Sequence, residues 1–399
     1  MFYNDNNTAK LLDMEDVIVK RVENSADELH VYIELPRREQ ICPRCGSVTN
    51  RVHDYRQQKI KDIPFGRTTY LHLRKRRYAC SACGKRFGEK NPLVSRYYRL
   101  TRRSVASIIQ QLKNLASSSE VARAHNVSVP SVFRYFKSLQ YSCAALPEVL
   151  SIDEFKGDTG GEKYQTILTD VKKKTILDIL PDRKEESLRS YFLGFDNRTD
   201  VKYFVCDMNP HFRSVAKTCF PNARVVVDRY HVTRQVIWAM EAVRKAEQKK
   251  HSRKFGKYFK RSRTLLNKEF LSEEDKLNLA LMLENAPRLA KAYDLKNRFL
   301  DVMHTKNDPE AAKKKLSDWL MDAEKLAFAK KDDPNALPEF KACITAYHNW
   351  STELLSSLEV QYSNGFTEGC NNKTKVLKRV CFGLRNFERF RSRILHCSA

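Results

Sequence analysis

Three observations predict an α/β protein of several parts. Between Val149 and Asp228 the pattern runs three strands, helix, strand, helix, strand. From Val232 to about Leu358 it is helical and basic, and upstream two Cys-x2-Cys knuckles sit in a stretch of β pattern. At 399 residues the chain is long enough for two or three domains, each with its own core. Hydrophobic residues at 42%, with only 12 Gly and 13 Pro, argue against a disordered chain.

The net charge of +25, from 73 Lys plus Arg against 48 Asp plus Glu, points to a polyanionic partner. Its distribution is more telling: Arg51 to Arg103 holds 16 basic and 3 acidic residues, Glu241 to Arg263 holds 10 and 2, and Cys370 to the end 8 and 1. Three basic surfaces suggest a long contact with nucleic acid; no segment reads as a basic membrane-surface helix. No apolar run reaches the roughly 18 residues of a membrane span. The start, Met1 to Asp5, lacks a leader's basic and apolar regions, so a cytoplasmic, nucleoid-associated protein is expected.

In chain order, Val17 to Val22 and Leu29 to Leu35 read as a hairpin around Asn24-Ser25-Ala26-Asp27. Cys42-Pro43-Arg44-Cys45-Gly46 and Cys80-Ser81-Ala82-Cys83-Gly84 follow, 34 residues apart. Each knuckle closes on a glycine that permits the tight turn, and the four thiolates suit a structural Zn²⁺ with no open position for chemistry. A redox pair is the lesser alternative, and the other seven of the eleven cysteines read as small buried hydrophobes. Arg74-Lys75-Arg76-Arg77, beside the second knuckle, is suited to phosphates.

From Thr101 to Leu139 the pattern is helical. Helices over Ser104 to Leu112 and Ser119 to His125, and a third from Pro130 with Ser128 as cap, enclose Val121, Ala122, Val127, Val132 and Phe136. That is the interior of a helix-turn-helix, whose recognition helix would show Ser131, Arg134 and Lys137 outward. Any short three-helix core gives a similar pattern.

The strand pattern then resumes. Val149-Leu150-Ser151-Ile152 is an apolar entry to Asp153, placing that acid at a strand's exit, and Tyr164 to Asp170 and Thr175 to Leu180 complete a meander. Val201 to Cys206 ends on Asp207, and Ala223 to Val227 on Asp228. This order is that of a ribonuclease H-like core, in which the first and fourth strands are neighbours and bring Asp153 and Asp207 together. Two such carboxylates repel unless a cation joins them, and hard oxygen ligands favour Mg²⁺ or Mn²⁺. The three Trp residues, Trp238, Trp319 and Trp350, fall in the helical stretch, where core packing is the simplest reading and stacking on an unpaired base the sharper one. Leu277, Leu281, Leu289 and Leu316 mark its apolar repeats, with a break near Asn307. Beyond it, a helix from Tyr362 onward would carry Asn364, Glu368, Asn371, Asn372 and Lys375 on one face, with Cys370 and Leu377 turned elsewhere, a pattern suited to a metal ligand with a phosphate-binding Lys nearby.

At these residues the chain resembles the DDE transposases of bacterial insertion sequences, and specifically the ISL3 family. The resemblance spans about residue 40 to 397 and is carried by the knuckles, the helical module, Ser-Ile-Asp-Glu-Phe at 151 to 155, the strand ending at Asp207, Asp228-Arg229-Tyr230-His231-Val232, and Ser363-Asn364-Gly365-Phe366-Thr367-Glu368-Gly369 with Lys378-Arg379. It implies a catalytic core interrupted by an all-helical insertion, with Asp153, Asp207 and Glu368 as the metal-binding triad. Asp228 and His231 look like the Asp-x2-His element near the site in related transposases, although His231 reads equally as a core histidine.

The organisation implied is a zinc-binding module over 1–98, a helix-turn-helix over 99–146, the core over 147–231, the insertion over 232–360 and the core's final helices over 361–399. The function implied is cleavage and strand transfer of double-stranded DNA at terminal inverted repeats, supported by Mg²⁺ or Mn²⁺, in a homodimer that pairs two element ends. Arg74 to Arg77, Ser131, Arg134, Lys137, Lys378 and Arg379 would contact DNA. A non-catalytic DNA-binding regulator or an inactivated transposase is the alternative, and a nuclease that cuts without joining is a third.

Overall fold

The computed structural model describes the chain except residues 1–8, 10–13, 15–16, 96, 251–252, 269, 306–307, 331, 382–383 and 399. The start of the chain read for a leader and Asn307 therefore lie outside the described residues. The contacts divide the chain into two units, Met1–Tyr141 with Val376–Ala399, and Ser142–Lys375. The first unit thus takes up the end of the chain, which the sequence had grouped with the catalytic core.

The first unit begins with the strands β1 (Ile18–Asn24) and β2 (Glu28–Glu34) and the knuckle strands β3 (Gln40–Ile41) and β4 (Val48–Thr49). Then come β5 (Val52–Lys61), β6 (Thr68–Ala79) and β7 (Arg86–Gly88). A sheet of order β1-β2-β6-β5, with β7 on β6, buries Val31, Ile33, Ile60, Leu71 and Leu73 on one face. Three short helices follow, α1 (Arg102–Gln111), α2 (Ser118–Ala124) and α3 (Val129–Phe136). α2 begins in a reciprocal capping box between Ser117 and Glu120, whereas Ser128 makes no side-chain cap for α3 and bonds Ser131 Oγ at 3.0 Å instead. Asn126, at φ 51°, makes the turn between α2 and α3. Ile108, Val121, Ala122, Val132 and Phe136 form the core between the helices, four of them as the sequence predicts.

The second unit holds β8 (Val149–Thr159), β9 (Glu162–Asp170), β10 (Thr175–Leu180), α4 (Glu185–Leu193), β11 (Tyr203–Cys206), α5 (Pro210–Cys219) and β12 (Arg224–Val227). Its sheet has the order β10-β9-β8-β11-β12, antiparallel between β10, β9 and β8 and parallel from β8 through β11 to β12. One face packs Leu150, Ile152, Phe204 and Cys206 against Leu188, Phe192, Phe212 and Val215 of α4 and α5. On the other, Val149, Val205 and Val226 lie under Val360 and Tyr362.

After β12 the chain makes a helical body: α6 (Arg229–Lys250), α7 (Arg253–Arg261), α8 (Glu273–Glu284), α9 (Pro287–His304), α10 (Pro309–Ala327), α11 (Lys341–Asn349) and α12 (Ser351–Glu359). Its core gathers Phe299, Trp319, Phe340 and Tyr347. Trp319 is buried and donates to Leu295 O at 2.7 Å, and Trp350 is buried under the Arg213 guanidinium, but Trp238 is exposed, so core packing holds for two of the three. Leu277 and Leu281 are also exposed, because α8 turns Leu279 and Met282 inward instead. The chain ends in α13 (Gly365–Val380) and α14 (Phe387–His396). In the first unit, Arg393 of α14 donates to Asn114 O and Ala116 O just beyond α1, and the His396 ring bridges Ile109 O and the Tyr141 hydroxyl.

Candidate active site

Strand register sets the site. β8 and β11 pair with Ser151 opposite Val205, and β11 and β12 with Cys206 opposite Val227. Carrying both registers forward puts Asp153, Asp207 and Asp228 in one row across three adjacent parallel strands. Because side chains alternate, Asp153 shares its face with Val149 and Ser151, away from α4 and α5. One expectation is corrected here: β8 does not end at Asp153. It continues to Thr159 against β9, and only its pairing with β11 stops short of the acid, so Asp153 has one strand edge beside it and not two.

Glu368 reaches this row on the first turn of α13. The start of that helix is tied to the sheet by buried polar groups. Ser151 Oγ donates to Asn364 Oδ1 at 2.5 Å and lies 2.7 Å from Thr367 Oγ1, which is 2.8 Å from Thr169 Oγ1. Since the single Ser151 proton goes to Asn364, Thr367 donates to Ser151 and Thr169 to Thr367. Asn364 Nδ2 donates to Ile152 O and its backbone N–H to Asp228 Oδ1, so Asn364 pins both the helix and one acid. Two turns on from Asn364, Asn371 Nδ2 donates to Asp153 Oδ2 at 2.8 Å.

The site is electrostatically loaded. Burial pushes the Asp153 carboxyl up to about 7, with the charges of Asp207 and Glu368 adding to the rise. Burial and the nearby Glu154 charge push Asp207 up to about 6. Asp207 Oδ1 and Asp228 Oδ2 are buried with no hydrogen-bond partner, an arrangement that costs stability unless a cation is supplied. One ligand atom each from Asp228, His231 and Glu368 lie within 4.8 Å of one another. The Glu154 carboxylate is engaged by the Arg183 guanidinium, which donates to both its oxygens at 2.7 Å.

His231 has a defined role in this arrangement. Arg234 Nη2, which can only donate, lies 3.0 Å from His231 Nδ1, so that nitrogen is the acceptor and Nε2 carries the proton. Nε2 therefore donates to Glu368 Oε1, 3.1 Å away, and neither ring nitrogen offers a lone pair to a metal. The donor set left is carboxylate oxygen, which suits a hard divalent ion.

Among the sequence-predicted residues, Asp153, Asp207, Asp228, His231, Asn364 and Glu368 share one neighbourhood. Asn372 and Lys375 are exposed, because the inward stripe of α13 is Thr367, Asn371, Thr374 and Leu377; Cys370 and Leu377, read as turned elsewhere, are buried. Thr367, Ser151 and Arg234 also belong to this neighbourhood, beyond the residues the sequence singles out, and Asn371 enters the sequence pattern only as part of the helix stripe. For Thr367 and Asn371 the signal is their spacing, since short polar residues four apart on a buried helix face have to bond something.

In the first unit the four cysteines converge. Cys42 and Cys83 Sγ lie 3.6 Å apart and Cys45 and Cys80 Sγ 3.5 Å, close to the ~3.8 Å edge of a tetrahedron with zinc–sulfur bonds of about 2.3 Å. Gly46 and Gly84, at φ 76° and 70°, close the two knuckles identically, each donating its N–H to the first cysteine's carbonyl at 3.0 Å. Arg76 is corrected from a DNA contact to an interior ion pair. It is 5% exposed, donates to Leu35 O, and pairs with Glu34 and Glu89. Arg77 pairs with Asp54, Arg74 with Glu34 over the Tyr55 ring, and Lys75 is half-buried. Arg134, Lys137 and Arg379 are exposed, while Ser131 and Lys378 are half-buried.

Comparison with known proteins gives the class of protein, a DDE transposase. The family model of ISL3 transposases, described as "Transposase", matches residues 150–394. A second model, described as the zinc-finger of transposase IS204/IS1001/IS1096/IS1165, matches residues 38–83. The chain belongs to the ISL3 family of transposases. It is similar to the transposase for insertion sequence element IS1001 of Bordetella parapertussis, 27% identical over 93% of both chains. It is also similar to the transposase for insertion sequence element IS1557 of Mycobacterium tuberculosis, 23% identical over 56% of this chain and 54% of that one. Among the described residues no helix is long and apolar enough to cross a membrane.

Proposed function

We propose that the protein is the transposase of an insertion sequence: it binds the element's terminal inverted repeats and, with Mg²⁺ or Mn²⁺, cuts DNA and joins the ends to a target. The observation that carries this reading is the row of Asp153, Asp207 and Asp228 on adjacent parallel strands, with Glu368 delivered beside it on α13. The strand order β10-β9-β8-β11-β12 supports a ribonuclease H-like core, with α6 to α12 as its insertion. Asp153, Asp207 and Glu368 would hold the divalent ions, with Asp228 next to them.

When bound, such ions supply an activated oxygen nucleophile and charge stabilisation at the phosphate. The chain's own residues do the positioning. His231 and Arg234 fix the Glu368 carboxylate, Asn371 orients Asp153, and Asn364 sets the helix start against the sheet. In the first unit, α1 to α3 support a helix-turn-helix reading with Ser131 and Arg134 on the recognition helix, and the four cysteines support one structural Zn²⁺. Pairing two element ends calls for a homodimer, and a DNA substrate places the work at the nucleoid.

The test is to incubate the full-length protein with Mg²⁺ and a duplex carrying the element's own ends, and to map the cuts. Cuts at the ends by the wild type, and none by a still-binding Asp153→Ala protein, are expected. Substantial cutting by Asp153→Ala overturns the assignment of the acid, and wild-type binding without cutting favours the inactivated transposase.

A further inference from the structure

The first unit contains an open recess of about 1370 Å³ between β5 and the helices, bordered by Lys59, Lys61, Tyr70, Arg99, Ser131 and Arg134. Among the described residues its lining holds four cationic side chains and no carboxylate. That is unusual on a unit where Arg74, Arg76, Arg77 and Arg103 all pair with acids. A second recess of about 940 Å³ in the same unit gives the contrast, since there Glu39 and Glu89 sit among the cations.

The recess is also built, not assembled by chance from two loosely joined modules. β5 and the segment leading into α1 are fused by backbone: Lys61 N–H donates to Arg99 O at 2.8 Å and Thr101 N–H to Lys61 O at 3.0 Å. Buried Asp62 then accepts from Thr101 Oγ1 at 2.6 Å and Arg103 Nε at 2.9 Å. Lys61 Nζ reaches the turn between α2 and α3, donating to Asn126 O at 2.5 Å. The cations of β5 are therefore held at a fixed place relative to α3. Lys59 stands 3.7 Å over the Tyr70 ring, which holds its ammonium at the rim, and Arg134 donates to Ser131 Oγ at 3.3 Å on the opposite wall. Tyr97 is 89% exposed beside it, its backbone in the left-handed region at φ 69°.

We propose that this recess is a preorganised phosphate-binding groove for duplex DNA, in which Lys59, Lys61 and Arg99 grip the backbone of the strand flanking the bases that Ser131 and Arg134 face. The inference rests on the DNA-binding reading above and adds to it that the zinc module and the helices present one rigid surface. Phosphate contacts of this kind set register and salt dependence and are indifferent to sequence, whereas Ser131 and Arg134 are placed to discriminate bases.

The experiment measures affinity of the full-length protein for a duplex carrying the element's end and for a scrambled duplex, across a range of salt concentrations. A protein carrying both Lys59→Gln and Arg99→Gln is expected to bind both duplexes more weakly. Its slope of log affinity against log salt should be shallower by about 2, since each phosphate contact contributes roughly 0.9. Lys59→Arg should keep the wild-type slope, and so should Lys90→Gln in the other recess. Zinc content and melting temperature check that each variant is folded; if the double variant is not, Lys59→Gln alone, with a loss of about one in slope, decides the matter. An unchanged slope in folded groove variants, or an equal loss in Lys90→Gln, overturns the groove while leaving DNA binding intact. Failure of the wild type to bind either duplex overturns the DNA-binding reading and the groove with it.

Discussion

Asn371 Nδ2 donates to Asp153 Oδ2 across 218 positions of sequence, and it is the bond that orients the central acid of the site. The other oxygen of that carboxylate accepts the Glu154 backbone N–H at 2.8 Å. Replacing Asn371 by Ala leaves a buried acceptor unmade, at a cost of about 1–3 kcal/mol. Replacing it by Asp sets a second charge against an acid already burdened by burial, and should lower cleavage further than Ala does. Urea unfolding and cleavage rates of the two variants check this order.

The acids also predict how stability follows pH when no divalent ion is added. Asp153 and Asp207 are raised to about 7 and about 6, above their ordinary carboxylate values, so the folded protein holds protons that the unfolded chain releases. Their contribution is fully present below about pH 4 and is lost as pH rises through about 6 to 7. Asp153→Asn removes the larger part of this penalty, so it should be more stable than wild type at pH 8 by about 1–3 kcal/mol, with the difference shrinking toward pH 5. Melting temperatures over that range read it out, and equal stability of the two proteins at pH 8 contradicts it.

Much of this site was legible in the sequence, for a definite reason. A short apolar run that leads into a carboxylate is visible as a pattern, and it recurs at Asp153, Asp207 and Asp228; two of these acids follow the last residue of their strand, while β8 runs on past Asp153 to Thr159. What the sequence hid depends on register. Asn371 faces inward as expected, but Thr367 joins it and Asn372 and Lys375 turn outward, because α13 sits a fraction of a turn from the orientation that Lys375 suggested. Arg76 reads as a surface cation in a basic run, but consecutive residues on a strand cannot all face out, and Glu34 and Glu89 wait inside for it. The union of Val376–Ala399 with the first unit was hidden because its anchors, Arg393 and His396, are polar residues that look like surface.

That union makes a prediction of its own. Arg393 is 3% exposed and its Nη2 donates to two backbone carbonyls beyond α1, so Arg393→Ala should destabilise the three-helix module by about 1.5–3 kcal/mol. Duplex binding at elevated temperature should fall with it, although no proposed DNA contact has been touched. Thermal unfolding followed alongside binding checks the link.

The cysteine site predicts one tightly held zinc per chain. Cys42→Ser or Cys80→Ser removes a ligand that is itself buried, so the zinc should be lost and β3, β4 and β7 should loosen with it. Elemental analysis of the purified proteins, with proteolysis of the N-terminal module, reads both effects.

Asp207 is proposed to bind a divalent ion together with Asp153 and Glu368. Exchanging this hard ligand for a soft one separates metal binding from a structural role. Asp207→Cys should bind the element's ends as the wild type does, fail to cut them in Mg²⁺, and regain cutting in Mn²⁺, which tolerates a thiolate far better. Wild-type cutting by Asp207→Cys in Mg²⁺ would contradict the account.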